Sequence, residues 1–134
     1  MDASVAMNWL IRERGEGTAL ALLNSYGAQE AELIAPRQIV DEVASALAKL
    51  HRRKVISFSD AHVAFQLFEK RRPELWEGPK LSAKAFDLSL EHQISFWDSL
   101  YLALAIDQRA DLVTADKRFY RSVSRHYPFV KLLD

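Results

Sequence analysis

The chain reads as an α/β fold: a mainly parallel central sheet flanked by helices, in a single domain spanning residues 1–134. Two observations predict it. Short apolar runs with strand character, ELIA (32–35), DLVTA (111–115) and FVKLL (129–133), are separated by segments with helical spacing of apolar residues. The run from Leu100 to Ile106 is apolar almost all round, as in a helix buried on most sides. The 134 residues suit one domain, and 49% hydrophobic content suits a globular core.

The elements follow in order. Ser4 is placed to cap a helix from Val5, with Val5, Trp9 and Ile11 on or near its buried side. Gly15 and Gly17 interrupt the pattern, and a short helix is expected over 18–26 with Gly27 as its stop. After the strand ELIA, Pro36 suits the first turn of a helix. Residues 38–53 are strongly helical, with Ile39, Val43, Ala46, Leu47 and Leu50 at helical spacing. Ser59 or Asp60 opens a helix that ends before Pro73. Residues 75–77 are a weak strand candidate within a loop-like Pro/Gly stretch over 73–79. Helices are expected over 82–92 and, capped by Ser95, over 96–109. Asp116 caps a short helix through Val123. Neither repeats nor an interdomain linker are visible.

Composition narrows the function. The 18 basic and 18 acidic residues balance, so any nucleic-acid binding must come from local patches. Cysteine is absent, which excludes disulfides and thiolate metal sites. The start lacks the pattern of a signal peptide, and no apolar run approaches the ~20 residues of a membrane span. A cytoplasmic protein with no membrane partner is expected.

Ligands of parallel α/β sheets bind at the carboxyl ends of the strands, and several acids fall there. Asp2 sits at the end of whatever strand begins the chain. Asp116 directly follows DLVTA, and Asp98 lies in the first turn of the buried helix. Between Asp41 and Glu42, helical position decides. Glu42 lies about 60° from the centre of the inward face, whereas Asp41 points away from it. Each acid has a bland role: a cap for Asp116, a capping-box position for Asp98, an amphipathic edge for Glu42, a frayed end for Asp2. Those roles explain the acids one at a time, but not their common placement. Clustered carboxylates repel unless a cation neutralises them, and hard oxygen donors suit Mg²⁺ or Mn²⁺.

Four stretches carry a family likeness: DASVA at 2–6, P-x-x-x-x-D-E-V-x-S-A-L at 36–47, FWDSLYLALA at 96–105 and LVTADKRF at 112–119. Together they resemble the PIN domain, and within it the VapC-type toxins of prokaryotic toxin–antitoxin pairs. The resemblance implies a metal-dependent ribonuclease. It places Asp2, Glu42, Asp98 and Asp116 around one or two Mg²⁺ or Mn²⁺ ions, with Glu42 completing the ring or orienting the attacking water. Ser4 and Thr114 match hydroxyls near the metal centre. It also implies a homodimer and a cognate, VapB-like antitoxin whose tail blocks the site. Apolar positions in residues 5–30 and 59–71 are candidates for those interfaces.

RNA phosphates need cations, and the candidates are Lys117, Arg118 and Arg121, then Arg52 and Arg53. Trp97, beside Phe96 and Leu100, is read as core rather than as a base-stacking surface. The four histidines have no metal-ligand spacing and receive no role. A haloacid-dehalogenase phosphatase would need an aspartate where Ser4 stands. A receiver domain would need its middle acid on a strand, whereas Glu42 is on a helix. A PIN fold that binds RNA or protein without cutting is the remaining alternative. Only Met1 precedes Asp2, so the first strand is expected to be truncated: the start is set too far downstream, the chain is trimmed, or a stub of residues 1–4 serves in its place. That arrangement also brings the α-amino group close to the acids.

Overall fold

A computed structural model describes residues 1–11 and 32–133. The helix expected over 18–26, with its flanking glycines, lies outside the described residues. Six helices and four short strands are present among those described. They are α1 (Ala3–Ile11), β1 (Ile34–Pro36), α2 (Ile39–Arg52), α3 (Phe58–Arg71), β2 (Glu74–Trp76), α4 (Pro79–His92), α5 (Phe96–Gln108), β3 (Leu112–Thr114), α6 (Lys117–Val123) and β4 (Val130–Leu132).

The strands form two parallel pairs, β1 with β2 and β3 with β4. Met1 and Asp2 lie between the pairs. The Met1 amino group donates to the Ile34 carbonyl at 3.3 Å, and the Asp2 amide donates to the Val113 carbonyl at 3.2 Å. Two residues thus do the joining that a full strand does in a continuous sheet, and the spatial order is β2–β1–(Met1–Asp2)–β3–β4. The sheet is parallel, as expected, but small.

α5 packs against β1 and β3 with α4 behind it, while α1 packs against β3, α2 and α3. Burial of α5 is continuous from Ser99 to Ala105, which is why its sequence is apolar all round. Its buried serine is satisfied locally, Ser99 Oγ donating to the Ser95 carbonyl at 2.8 Å. α2 shows the other pattern. Ile39, Val43 and Leu47 are buried at intervals of four, and the opposite face is solvated.

Local chemistry moved several boundaries. α1 begins at Ala3 and its cap is Asp2, whose Oδ1 accepts from the Val5 amide at 3.3 Å. Ser4 is not the cap, because its hydroxyl is engaged with Asp2. Pro36 ends β1 instead of opening α2, which starts three residues later after a turn. Ser57, not Ser59 or Asp60, caps α3 and accepts from the Asp60 amide at 3.0 Å. The Pro/Gly stretch is not loop throughout: it holds β2 and the first turn of α4, with Pro79 at the helix start. Gly78 links the two at φ +145°, a conformation that disfavours any residue with a Cβ. Ser95 and Asp116 cap α5 and α6 as their positions in the sequence require.

Candidate functional site

The strands run parallel, so their carboxyl ends share one edge, and the helices that follow begin there. Asp2 opens α1 at that edge. Glu42 lies in the first turn of α2, Asp98 in the first turn of α5, and Asp116 caps α6 after β3. The four acids come from the starts of four helices; α2 and α6 follow β1 and β3, whereas α5 follows α4.

Asp2 is the best anchored. It is buried, 7% exposed. Ser4 Oγ donates to its Oδ1 and Thr114 Oγ1 donates to its Oδ2. Each hydroxyl has one proton and gives it to Asp2, so the 3.4 Å contact between Ser4 and Thr114 is not a further donation. Both hydroxyls also accept: Ser4 from the Ala115 amide at 2.8 Å, Thr114 from the Asp116 amide at 3.0 Å. The network straps the start of α1 to the end of β3.

The carboxylates sense one another. Burial raises the Asp2 pKa, against the opposing pull of Ser4, Thr114, the amino terminus and the Val5 amide. Burial also raises that of Glu42; Gln38 and Tyr101 oppose this, and the charges of Asp2 and Asp98 add to it. Asp98 is raised by burial and by Asp116 and Asp2, with Ser95 opposing. Asp116 serves as a cap with a single oxygen, Oδ1 accepting from the Arg118 and Phe119 amides at 2.9 and 3.0 Å. Its Oδ2 remains for another partner.

The helical argument separates Asp41 from Glu42 correctly. Asp41 is exposed and pairs with Arg37 at 3.4 Å, whereas Glu42 is half-buried and accepts from Gln38 Nε2 at 2.8 Å. Two neighbours went unnoticed in the sequence. Gln38 holds Glu42 and also donates to the Trp97 carbonyl at 2.8 Å, and its position four residues before Glu42 was the available signal. Tyr101, three residues after Asp98 on the same helix face, buries its hydroxyl near Glu42 without a well-formed hydrogen bond. Burial, together with the Glu42 and Asp2 charges, pushes its pKa far above the phenol range.

Trp97 corrects another expectation. It is 60% exposed and not part of the core. The cations divide. Lys117, Arg118 and Arg121 are exposed on α6, beside Asp116. Arg52 and Arg53 lie at the far end of α2, roughly 15 Å along the helix from Glu42 at 1.5 Å per residue, and the structure does not bring them to the acids. Of the expected interface segments, Val5 and Ala6 are buried in the core, whereas Val63 and Leu67 on α3 are exposed, as is Phe58 just before the second segment.

A PIN domain family profile matches residues 1–123. The chain belongs to the PIN domain family. The PIN match covers all four acids and both hydroxyls. No curated protein matches the chain in a sequence comparison. PIN domains are commonly nucleases that use divalent metals. Among the described residues no three Asp, Glu or His side chains converge closely enough to ligate one ion directly. The donors nonetheless fit a hard cation: four carboxylates on one edge, whose charges raise the Glu42 and Asp98 pKa values beyond the effect of burial, and a tyrosine hydroxyl buried near Glu42 without a well-formed hydrogen bond. Mg²⁺ keeps much of its water when bound, so outer-sphere contact suits this spacing. Among the described residues no helix is long and apolar enough to cross a membrane.

Proposed function

We propose that this PIN domain is a metal-dependent endoribonuclease of the VapC type, using Mg²⁺ or Mn²⁺ and held in check by a cognate, VapB-like antitoxin. The observation that carries the reading is electrostatic. Glu42 is pushed up mainly by burial and further by the charges of Asp2 and Asp98, and Asp98 mainly by burial and further by Asp116 and Asp2, although the four belong to four separate elements. A fold tolerates such repulsion where a cation is meant to relieve it.

Asp2, Asp98, Asp116 and Glu42 would hold the ion, directly or through water. When bound it would supply Lewis-acid stabilisation of the charge that develops on the phosphate. The protein's own groups do the rest. Ser4 and Thr114 fix the Asp2 carboxylate so that it does not rotate as the site fills. Glu42, held by Gln38 and with its pKa raised by burial, is suited to orient the attacking water and take its proton. Lys117, Arg118 and Arg121 supply positive charge for the RNA backbone beside Asp116. The exposed apolar side chains of α3 support a homodimer or antitoxin contact on that helix. Action on RNA in the bacterial or archaeal cytoplasm completes the reading.

The test is Asp98→Asn. Wild-type protein with Mg²⁺ or Mn²⁺ is expected to cut single-stranded RNA, and the variant to lose about 10–100-fold of that rate. Chelation of the metal should abolish cleavage. Equal cleavage by the two proteins would overturn the mechanism. Failure of the wild type on every RNA tried would favour a PIN fold that binds without cutting.

A further inference from the structure

We propose that the cleft between the start of α2, the end of β2 and the start of α5 is a nucleobase subsite. It takes the unpaired base of the ribonucleotide whose phosphate lies at the acidic edge. The position of that phosphate rests on the nuclease reading above.

The cleft has a volume of about 240 Å³. That is below the ~300–1,000 Å³ of sites for drug-sized ligands, and it suits one flat ring system. Its walls include two indoles, Trp76 and Trp97, with Arg37, Gln38, Asp41 and Glu77. Trp97 is largely exposed, yet it is not loosely held. Phe96 braces the ring edge-on, with centroids 5.3 Å apart and planes at 74°, and Gln38 anchors its carbonyl. A pre-positioned indole can stack a base without first being ordered, and stacking tolerates any base because every base has a π-face.

Charge decides between a base and a phosphate. Arg37 is the one cation among the residues lining the cleft, and Asp41 at 3.4 Å and Glu77 at 4.0 Å already answer it. The wall therefore carries a net negative charge, which repels phosphate and leaves a neutral ring unaffected. Gln38 Oε1 and Trp76 Nε1, on two of the lining residues, are buried without a hydrogen-bond partner. They leave one acceptor and one donor beneath the surface of the wall, out of direct reach of a base, so stacking and not edge reading carries the subsite.

Position links the cleft to the acids. Gln38 bonds to Glu42 as well as to Trp97, and Trp97 directly precedes Asp98. A base seated in the cleft leaves its phosphate towards Glu42 and Asp98. The cleft then reads the substrate as single-stranded, since a paired base cannot enter it.

The test measures binding and cutting separately. Full-length protein in EDTA at low salt is titrated against a labelled single-stranded hexaribonucleotide, with anisotropy as the readout. Wild type, Trp97→Ala and Trp97→Phe are compared, and the wild type is also titrated with a hexamer whose central nucleotides are abasic. Trp97→Ala is expected to weaken binding about tenfold, and Trp97→Phe clearly less, because a phenyl ring still stacks. The abasic hexamer should bind wild type about as weakly as the intact one binds Trp97→Ala. Equal affinity of wild type and Trp97→Ala overturns the subsite, as does tight binding of the abasic RNA or no binding by any protein. Cleavage with Mg²⁺ or Mn²⁺ is scored on its own. An uncut RNA with base-dependent binding would refute the nuclease reading alone. An active wild type with an equally active Trp97→Ala and an unchanged cut pattern would refute the subsite alone.

Discussion

Asp2 shows how one residue takes several roles at once. Its backbone amide joins Met1–Asp2 to β3, its Oδ1 caps α1, and both oxygens receive hydroxyl protons. Burial still raises its pKa, because desolvation outweighs the opposing hydrogen bonds. The neighbouring amino group is buried too, and burial lowers its pKa despite the pull of Asp2. Tyr101 belongs to the same scale. A buried hydroxyl without a partner costs stability, so Tyr101→Phe is expected to leave stability within about 1 kcal/mol of wild type, or to raise it. Tyr101→Ala should cost about 3–5 kcal/mol through the cavity it opens. Urea titration of the three proteins checks both. A larger loss in Tyr101→Phe would mean that the hydroxyl hydrogen-bonds the Glu42 carboxylate.

Helices were more legible than strands because they carry more signal. α2 repeats its apolar positions over several turns, so its ends fell within one residue of expectation. α5 was recognised by its length and by the Ser95 cap. The strands are three residues each, too short for any period to show, and only their approximate places could be read. Caps were legible where one candidate stood alone, as at Asp116, and not where several serines and acids adjoined. In Ser57-Phe58-Ser59-Asp60 it is the Ser57 hydroxyl that accepts from the Asp60 amide, and α3 begins at Phe58. Ser57→Ala should therefore cost about 1 kcal/mol, within the 0.5–2 kcal/mol usual for N-caps. Ser59→Ala should cost much less. Chemical denaturation of the two variants separates them, and equal losses would count against the assigned cap.

The whole molecule is where four carboxylates come to share one edge of the sheet, and their pH dependence belongs there. Asp2, Glu42 and Asp98 all have raised folded-state pKa values. The folded chain then holds more protons than the unfolded chain over a window starting near the ordinary carboxylate value of about 4. The slope of stability with pH is negative there, so these groups cost stability as pH rises through their folded pKa values. The Met1 amine acts in the opposite sense just below its ordinary 8.0. The cation of the proposed function would bind the deprotonated acids, so Mn²⁺ or Mg²⁺ should raise Tm more at about pH 7.5 than at about pH 5.5. Metal at 100 times its Kd would add about 2.7 kcal/mol. Thermal melts at both pH values with and without metal test this, and identical shifts at the two would sink it.

The sequence by itself determined the α/β class, the run of helices, and the choice of Glu42 over Asp41. Those depend on local periodicity and on chemistry within a few residues. It also nominated Asp2, Asp98 and Asp116, because strand ends and caps are local marks. Tertiary structure alone decided which of these share a neighbourhood. Arg52 is ten residues from Glu42 in the chain and far from it along α2, whereas Thr114 is 112 residues from Asp2 and hydrogen-bonded to it. It also exposed Trp97, because the side of a short helix turn that meets solvent depends on what packs across from it. Distances across a sheet come from the packing of elements remote in sequence, and no local pattern encodes them.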